Sequence, residues 1–147
     1  MRVLALDYGS ARCGCALSDA TGTLATPIDP VIRPATKAGM RALRELVVGR
    51  EVDRVVVGLP LSLSGADSEQ TREARAFADK LRSALTGAVP VDLYDERFTT
   101  SIAARSTAEH EAATSEDSRA AAVLLDDWLA RHAHEHRPAA ELLGDGR

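Results

Sequence analysis

The sequence predicts an α/β fold: a five-stranded mixed sheet with helices on both faces. Three extended segments come first, followed by helix, strand, helix, strand and two closing helices. The uninterrupted β-branched run Val55, Val56, Val57 is what a strand covered on both faces requires. Two later segments repeat their apolar residues at intervals of three and four, as helices packing one face do. A chain of 147 residues, 45% of them apolar, has material for one core and not for two.

The run from Arg2 to Leu6 ends at Asp7, and Tyr8, Gly9 and Ser10 supply turn chemistry before Cys13 to Ser18 resumes an extended pattern. This predicts an antiparallel hairpin. A third strand is expected from Thr23 to Ile28, and Pro27 and Pro30 suit an edge because they cannot donate ladder hydrogen bonds. From Lys37 to Val48, Met40, Leu43, Leu46 and Val47 form a helical stripe with Gly49 as its stop. The valine strand is expected to be central and to break at Gly58, Leu59 and Pro60. A second helix from about Ser68 to Leu85 buries Ala74, Phe77, Ala78, Leu81 and Leu85, with Gly87 as terminator, and Val89 to Tyr94 is the last strand. Helices are expected from about Thr99 to Ala108 and from Asp117 to about His132, the latter burying Ala121, Leu124, Leu125 and Trp128. The domain is taken as residues 1–137, with 138–147 as a flexible tail after Pro138.

Aromatic residues make up only 3%, so stacking on bases or sugars cannot be the main recognition chemistry. The net charge of −4 means that a polyanion must be held by a local arginine patch or through metal ions. No apolar run is long enough to span a membrane, and Met1 leads directly into a strand pattern, so a cytoplasmic protein is expected. Cys13 and Cys15 fall on one face of a strand, where bridging each other needs strained geometry; reduced thiols are expected.

The chemistry concentrates at element ends. Asp7 closes the first strand beside Gly9 and Gly14; it is either a turn former or a carboxylate delivered to the sheet edge. Asp95, Glu96 and Arg97 close the last strand before Thr99 and Thr100, and adjacent acids there need a positive partner, either Arg97 or a metal. Asp117 opens the final helix, where the macrodipole favours a carboxylate by about 0.3 to 1 kcal/mol and capping alone explains it. Taken together, Asp7, Glu96 and Asp117 lie where an open sheet and a covering helix bring them to one rim. Three hard oxygen donors suit Mg²⁺ or Mn²⁺, and a two-metal site would activate water against a phosphodiester. His132 and His136 share a helix face at metal-ligand spacing, with His134 between them, but in a segment expected to be exposed. Asp19, Asp126 and Asp127 read as solvated surface charge.

Four motifs, LDYGSARCGCALSD (Leu6 to Asp19), VVGLPLSLSG (Val56 to Gly65), YDERFTT (Tyr94 to Thr100) and DSRAAAVLLDDWL (Asp117 to Leu129), give the chain its resemblance to the YqgF family, also called RuvX. The likeness runs from about Val3 to Leu129. It implies a ribonuclease H-like fold, with Asp7, Glu96 and Asp117 as the acidic metal-binding set and Arg12 and Arg97 beside the scissile phosphate. It also implies a metal-dependent endonuclease that trims the pre-16S rRNA end within a ribosomal precursor during ribosome biogenesis. The alternatives are a Holliday junction resolvase in DNA recombination and repair, and a non-catalytic assembly or transcription factor. The stretch before Asp117 departs from similar proteins, where it is longer and basic; here Glu109, His110, Glu111 and Glu116 make it short and acidic. A junction resolvase needs two sites across a two-fold, whereas trimming needs one, so a mainly monomeric protein is expected, with a dimer as the alternative.

Overall fold

A computed structural model describes residues 1–60, 67–96 and 116–132, with the backbone alone for 116 and 117. Strands β1 (Val3–Asp7), β2 (Arg12–Ser18) and β3 (Ala25–Ile32) precede helix α1 (Lys37–Gly49). Then follow β4 (Arg54–Leu59), α2 (Glu69–Ala84), β5 (Val91–Asp95) and α3 (Glu116–Arg131). The five strands form one sheet in the order β3-β2-β1-β4-β5, antiparallel across β1–β2 and β2–β3 and parallel across β1–β4 and β4–β5. The mixed sheet predicted from the sequence is therefore present, with β1 in the middle and the valine strand beside it, an interior strand buried on both faces as expected.

Alternation along the strands divides the core in two. Leu4, Leu6, Cys13, Cys15, Val55 and Val57 face α1 and α2, meeting Met40, Leu43, Val47, Phe77 and Leu81. Val3, Ala5, Ala16, Val56 and Tyr94 face α3, meeting Ala121, Leu124, Leu125 and Trp128. Small residues on the second face, Ala5, Gly14 and Ala16, let α3 lie close to the sheet. Both thiols are fully buried on the other face and neither is in a disulfide.

Several element ends differ from expectation. Strand β3 runs on past Pro27 and Pro30 to Ile32, because as an edge strand it can lack donors on its open side. A bulge between Cys13 and Cys15 absorbs one extra β3 residue there. Gly49 is helical, Arg50 caps α1, and the left-handed residue is Glu51 (φ 53°). Helix α2 begins with a reciprocal capping box between Ser68 and Thr71 and stops at Leu85, followed by left-handed Thr86 and Gly87. Asp127 is not surface charge: it is buried, accepting hydrogen bonds from the Tyr94 hydroxyl and from Arg131 Nε at 3.1 Å. The helix expected at 99–108 and the tail at 138–147 lie outside the described residues. No helix among the described residues is long and apolar enough to cross a membrane.

Candidate active site

Three parallel strands, β1, β4 and β5, end at the same rim of the sheet, and their alternation decides what stands there. Asp7 shares a face with Val3 and Ala5, Gly58 with Val56, and Glu96 with Tyr94, so all three positions point to the α3 side. The Glu96 carboxyl reaches across Gly58 and hydrogen-bonds Asp7. A Cβ on Gly58 would lie 2.5 Å from Glu96 Oε1 and 3.0 Å from Leu124 Cδ2, so only glycine leaves room for this contact. Gly58 is thus not a strand stop, as its sequence context suggests; it pairs with Tyr94 inside β4 and makes space for the acid.

Two carboxyl groups in contact cannot both hold a charge cheaply. Burial pushes the Glu96 carboxyl up to about 8, with the Asp7 charge, the Asp7 hydrogen bond and the Asp95 charge acting in the same direction. At neutral pH the pair therefore holds a proton between its oxygens, and a cation can replace that proton. The arrangement offers hard oxygen donors already gathered at one point, which fits a divalent ion of the Mg²⁺ or Mn²⁺ type.

The position of the third acid follows from its neighbour. Ser118 Oγ accepts from the Cys15 N–H at 3.3 Å and donates to the Ile28 carbonyl. Since Cys15 and Ile28 are partners across the β2–β3 ladder, the hydroxyl stands in for a ladder bond at the bulge. This pins the first turn of α3 against β2 one residue from Gly14, the strand partner of Asp7. Asp117, the residue before Ser118, thereby enters α3 at the rim that carries Asp7 and Glu96.

Of the sequence-predicted site residues, Asp7 and Glu96 are in contact and the Asp117 backbone is at the same rim. Arg12 opens β2 and is exposed, while Arg97 lies outside the described residues, as do His134 and His136. His132 stacks on Trp128 at 4.2 Å, and its Nδ1 lies 2.8 Å from the Trp128 carbonyl. Among the described residues no cluster of three or more His, Cys, Asp or Glu forms a metal site, the Asp117 side chain being outside that set. Sequence reasoning missed Gly58 and Ser118; the available signals were a glycine two positions after buried Val56 and a serine directly after the helix-opening acid.

The sheet is of the ribonuclease H-like kind, and the family and relatives that the sequence matches make the chain a nuclease, a hydrolase of phosphodiester bonds. The chain belongs to the RuvX family: the family model described as "RuvX: Holliday junction resolvase" matches residues 1–131. A relative in Koribacter versatilis, named "Putative pre-16S rRNA nuclease", is 39% identical over 135 residues, spanning 88% of this chain and 87% of that protein. One of the same name from Anaeromyxobacter sp. strain Fw109-5 is 41% identical over 139 residues, spanning 90% of this chain and 100% of the relative. The fold is also similar to that of Thermus thermophilus RuvC in complex with a Holliday junction substrate. That likeness has a TM-score of 0.62 at 16% identity, over 91% of this chain and 96% of RuvC. The fowlpox virus Holliday junction resolvase matches at a TM-score of 0.50 and 12% identity, over 92% and 99% of the two chains.

Proposed function

We propose that this nuclease is a divalent-metal-dependent endonuclease acting on structured RNA at the end of pre-16S rRNA, with Asp7, Glu96 and Asp117 as its acidic set. The observation that carries the proposal is the Asp7–Glu96 carboxyl pair held over Gly58. When bound, the cation would supply an activated water and offset charge on the leaving oxygen. Asp7 and Glu96 would hold it from either side of Gly58 on the rim, and Asp117 from the first turn of α3. The fixed strands hold the donors in place before substrate arrives. Arg12 and Arg97 would meet the phosphates beside the cut. The RNA assignment and the ribosomal precursor rest on the names of the relatives, and a cytoplasmic location would follow from such a substrate.

Incubating the purified protein with precursor RNA and with a synthetic four-way junction, each with Mg²⁺ or Mn²⁺, tests this reading. Cleavage of the RNA that is lost on chelation is expected. Paired symmetric cuts in the junction, together with a stable reduced dimer in light scattering, would instead support a resolvase, since two cuts need two sites across a two-fold.

A further inference from the structure

On the sheet face opposite the carboxyl pair, α1 and α2 enclose a groove of about 390 Å³ lined by Ala35, Thr36, Lys37, Met40, Arg41, Arg44, Lys80 and Ala84. Its four charged residues are all cations and all exposed. None of them forms an ion pair among the described residues, whereas Arg54, Arg75, Arg82 and Arg131 are each paired with an aspartate. Lys37, Arg41 and Arg44 fall at intervals of four and three, so they form one stripe beside the buried Met40, Leu43 and Val47 face. Lys80 meets the stripe from α2, fixed by a 3.1 Å hydrogen bond from its Nζ to the Ala35 carbonyl. The first turn of α1 has no acid to offset its macrodipole. In a chain of net charge −4, four cations around one groove, without an ion pair among the described residues, are a local reversal of sign.

The groove also leads to the rim. A second hollow of about 220 Å³ shares Ala35 and Lys80 with it and continues past Phe77 to Tyr8 and Ser10, the residues that follow Asp7. Tyr8 is held there by stacking on Phe77 with ring centroids 4.6 Å apart. Glu73 is the acid in this connecting hollow, so phosphate contacts fall on the α1 side. From Lys37 to Arg44 is about 10 Å along the helix axis, long enough to meet more than one phosphate of a strand.

We propose that Lys37, Arg41, Arg44 and Lys80 form a docking track for the phosphodiester backbone of the substrate, holding the strand that runs away from the cut over the Tyr8–Ser10 loop. The proposal rests on the chain being a nuclease with its site at the Asp7 rim. It adds a second contact surface remote from the reacting phosphate and indifferent to base identity.

The test is binding of a short single-stranded RNA, and of DNA of the same sequence, in EDTA, so that no cleavage intervenes. Arg41→Gln/Arg44→Gln is compared with Arg50→Gln/Arg75→Gln, which removes the same charge away from the groove. Loss of two phosphate contacts should make the salt slope shallower by about 1.4 and weaken binding by about tenfold or more near 0.1 M salt, for RNA and DNA alike. The control pair should change the slope little, and Arg41→Lys/Arg44→Lys should restore it. An unchanged slope, an equal loss in the control pair, or a loss confined to one nucleic acid would overturn the track. Because binding is read without metal, it is separate from the fate of the active site: Asp7→Asn that still cleaves would remove the site assignment and leave the binding result standing.

Discussion

Replacing Glu96 with glutamine tests the carboxyl pair through stability alone. The side chain keeps its shape and can still donate to Asp7, but it no longer carries an ionisable proton. In the folded wild type Glu96 titrates near 8, against an ordinary value of 4.5. Between these values the native state binds a proton that the unfolded chain has released, so stability falls as pH rises through this window. At 1.36 kcal/mol per pKa unit, and allowing for solvent screening of a partly exposed group, the loss at pH 8.5 is roughly 1 to 3 kcal/mol. For a domain of this size that is roughly 3 to 10 °C in melting temperature. The assay is thermal unfolding of both proteins in EDTA from pH 4 to pH 8.5, read as the difference between them so that other groups cancel. Glu96→Gln should match the wild type near pH 4 and exceed it increasingly above pH 6. Adding Mg²⁺ or Mn²⁺ at pH 8 should raise the wild type more than the variant. A flat difference curve, or a variant less stable at high pH, would refute the shared-proton pair and make Glu96 an ordinary structural partner.

Asp7→Asn should abolish metal-dependent cleavage while circular dichroism is unchanged and metal-free stability at pH 8 is kept or raised; retained activity would remove Asp7 from the site. Gly58→Ala should fold, at a cost of about 1 to 3 kcal/mol for overpacking against Leu124, but lose at least about tenfold in cleavage as the Glu96 carboxyl is pushed off Asp7. Ser118→Ala should cost about 1 to 3 kcal/mol in denaturant unfolding, because the Cys15 N–H and Ile28 carbonyl lose their shared partner. Light scattering under reducing conditions should give a monomer at micromolar concentration.

The acids were legible where sequence and topology obey the same rule. Asp7 closes an aliphatic strand and Glu96 directly follows the last strand, and strands that run parallel must end at a common rim, so their approach could be anticipated without a structure. Gly58 was misread because a glycine followed by Leu59 and Pro60 has the composition of a strand end. Its purpose depends on a carboxyl 38 residues away reaching over it, which no local pattern encodes. Asp127 fails for the same reason: its neighbour Asp126 suggests a solvated face, while the partner that buries it, Tyr94, is 33 residues earlier. Strand β3 outran its predicted end because proline limits a strand by removing donors, and an edge strand has one side on which donors are not needed.

The distribution of charge resolves the difficulty that an acidic chain poses for a nuclease. Uniform charge of −4 would repel a phosphodiester strand, but long-range repulsion from separated surface charges is screened over about 8 Å at physiological salt. What the strand meets at close range is set locally. On the α2 and β5 side, arginines are neutralised by Asp67, Asp79 and Asp92 and offer little to a phosphate. Along α1, Lys37, Arg41 and Arg44 form no ion pair among the described residues, and at the rim a divalent cation that displaced the shared proton would make the carboxyl pair attractive to phosphate. On the proposed reading, docking and cutting would depend on different charges on opposite faces of one sheet. Salt should weaken the first, whereas loss of divalent ion should stop the second while leaving strand binding largely in place.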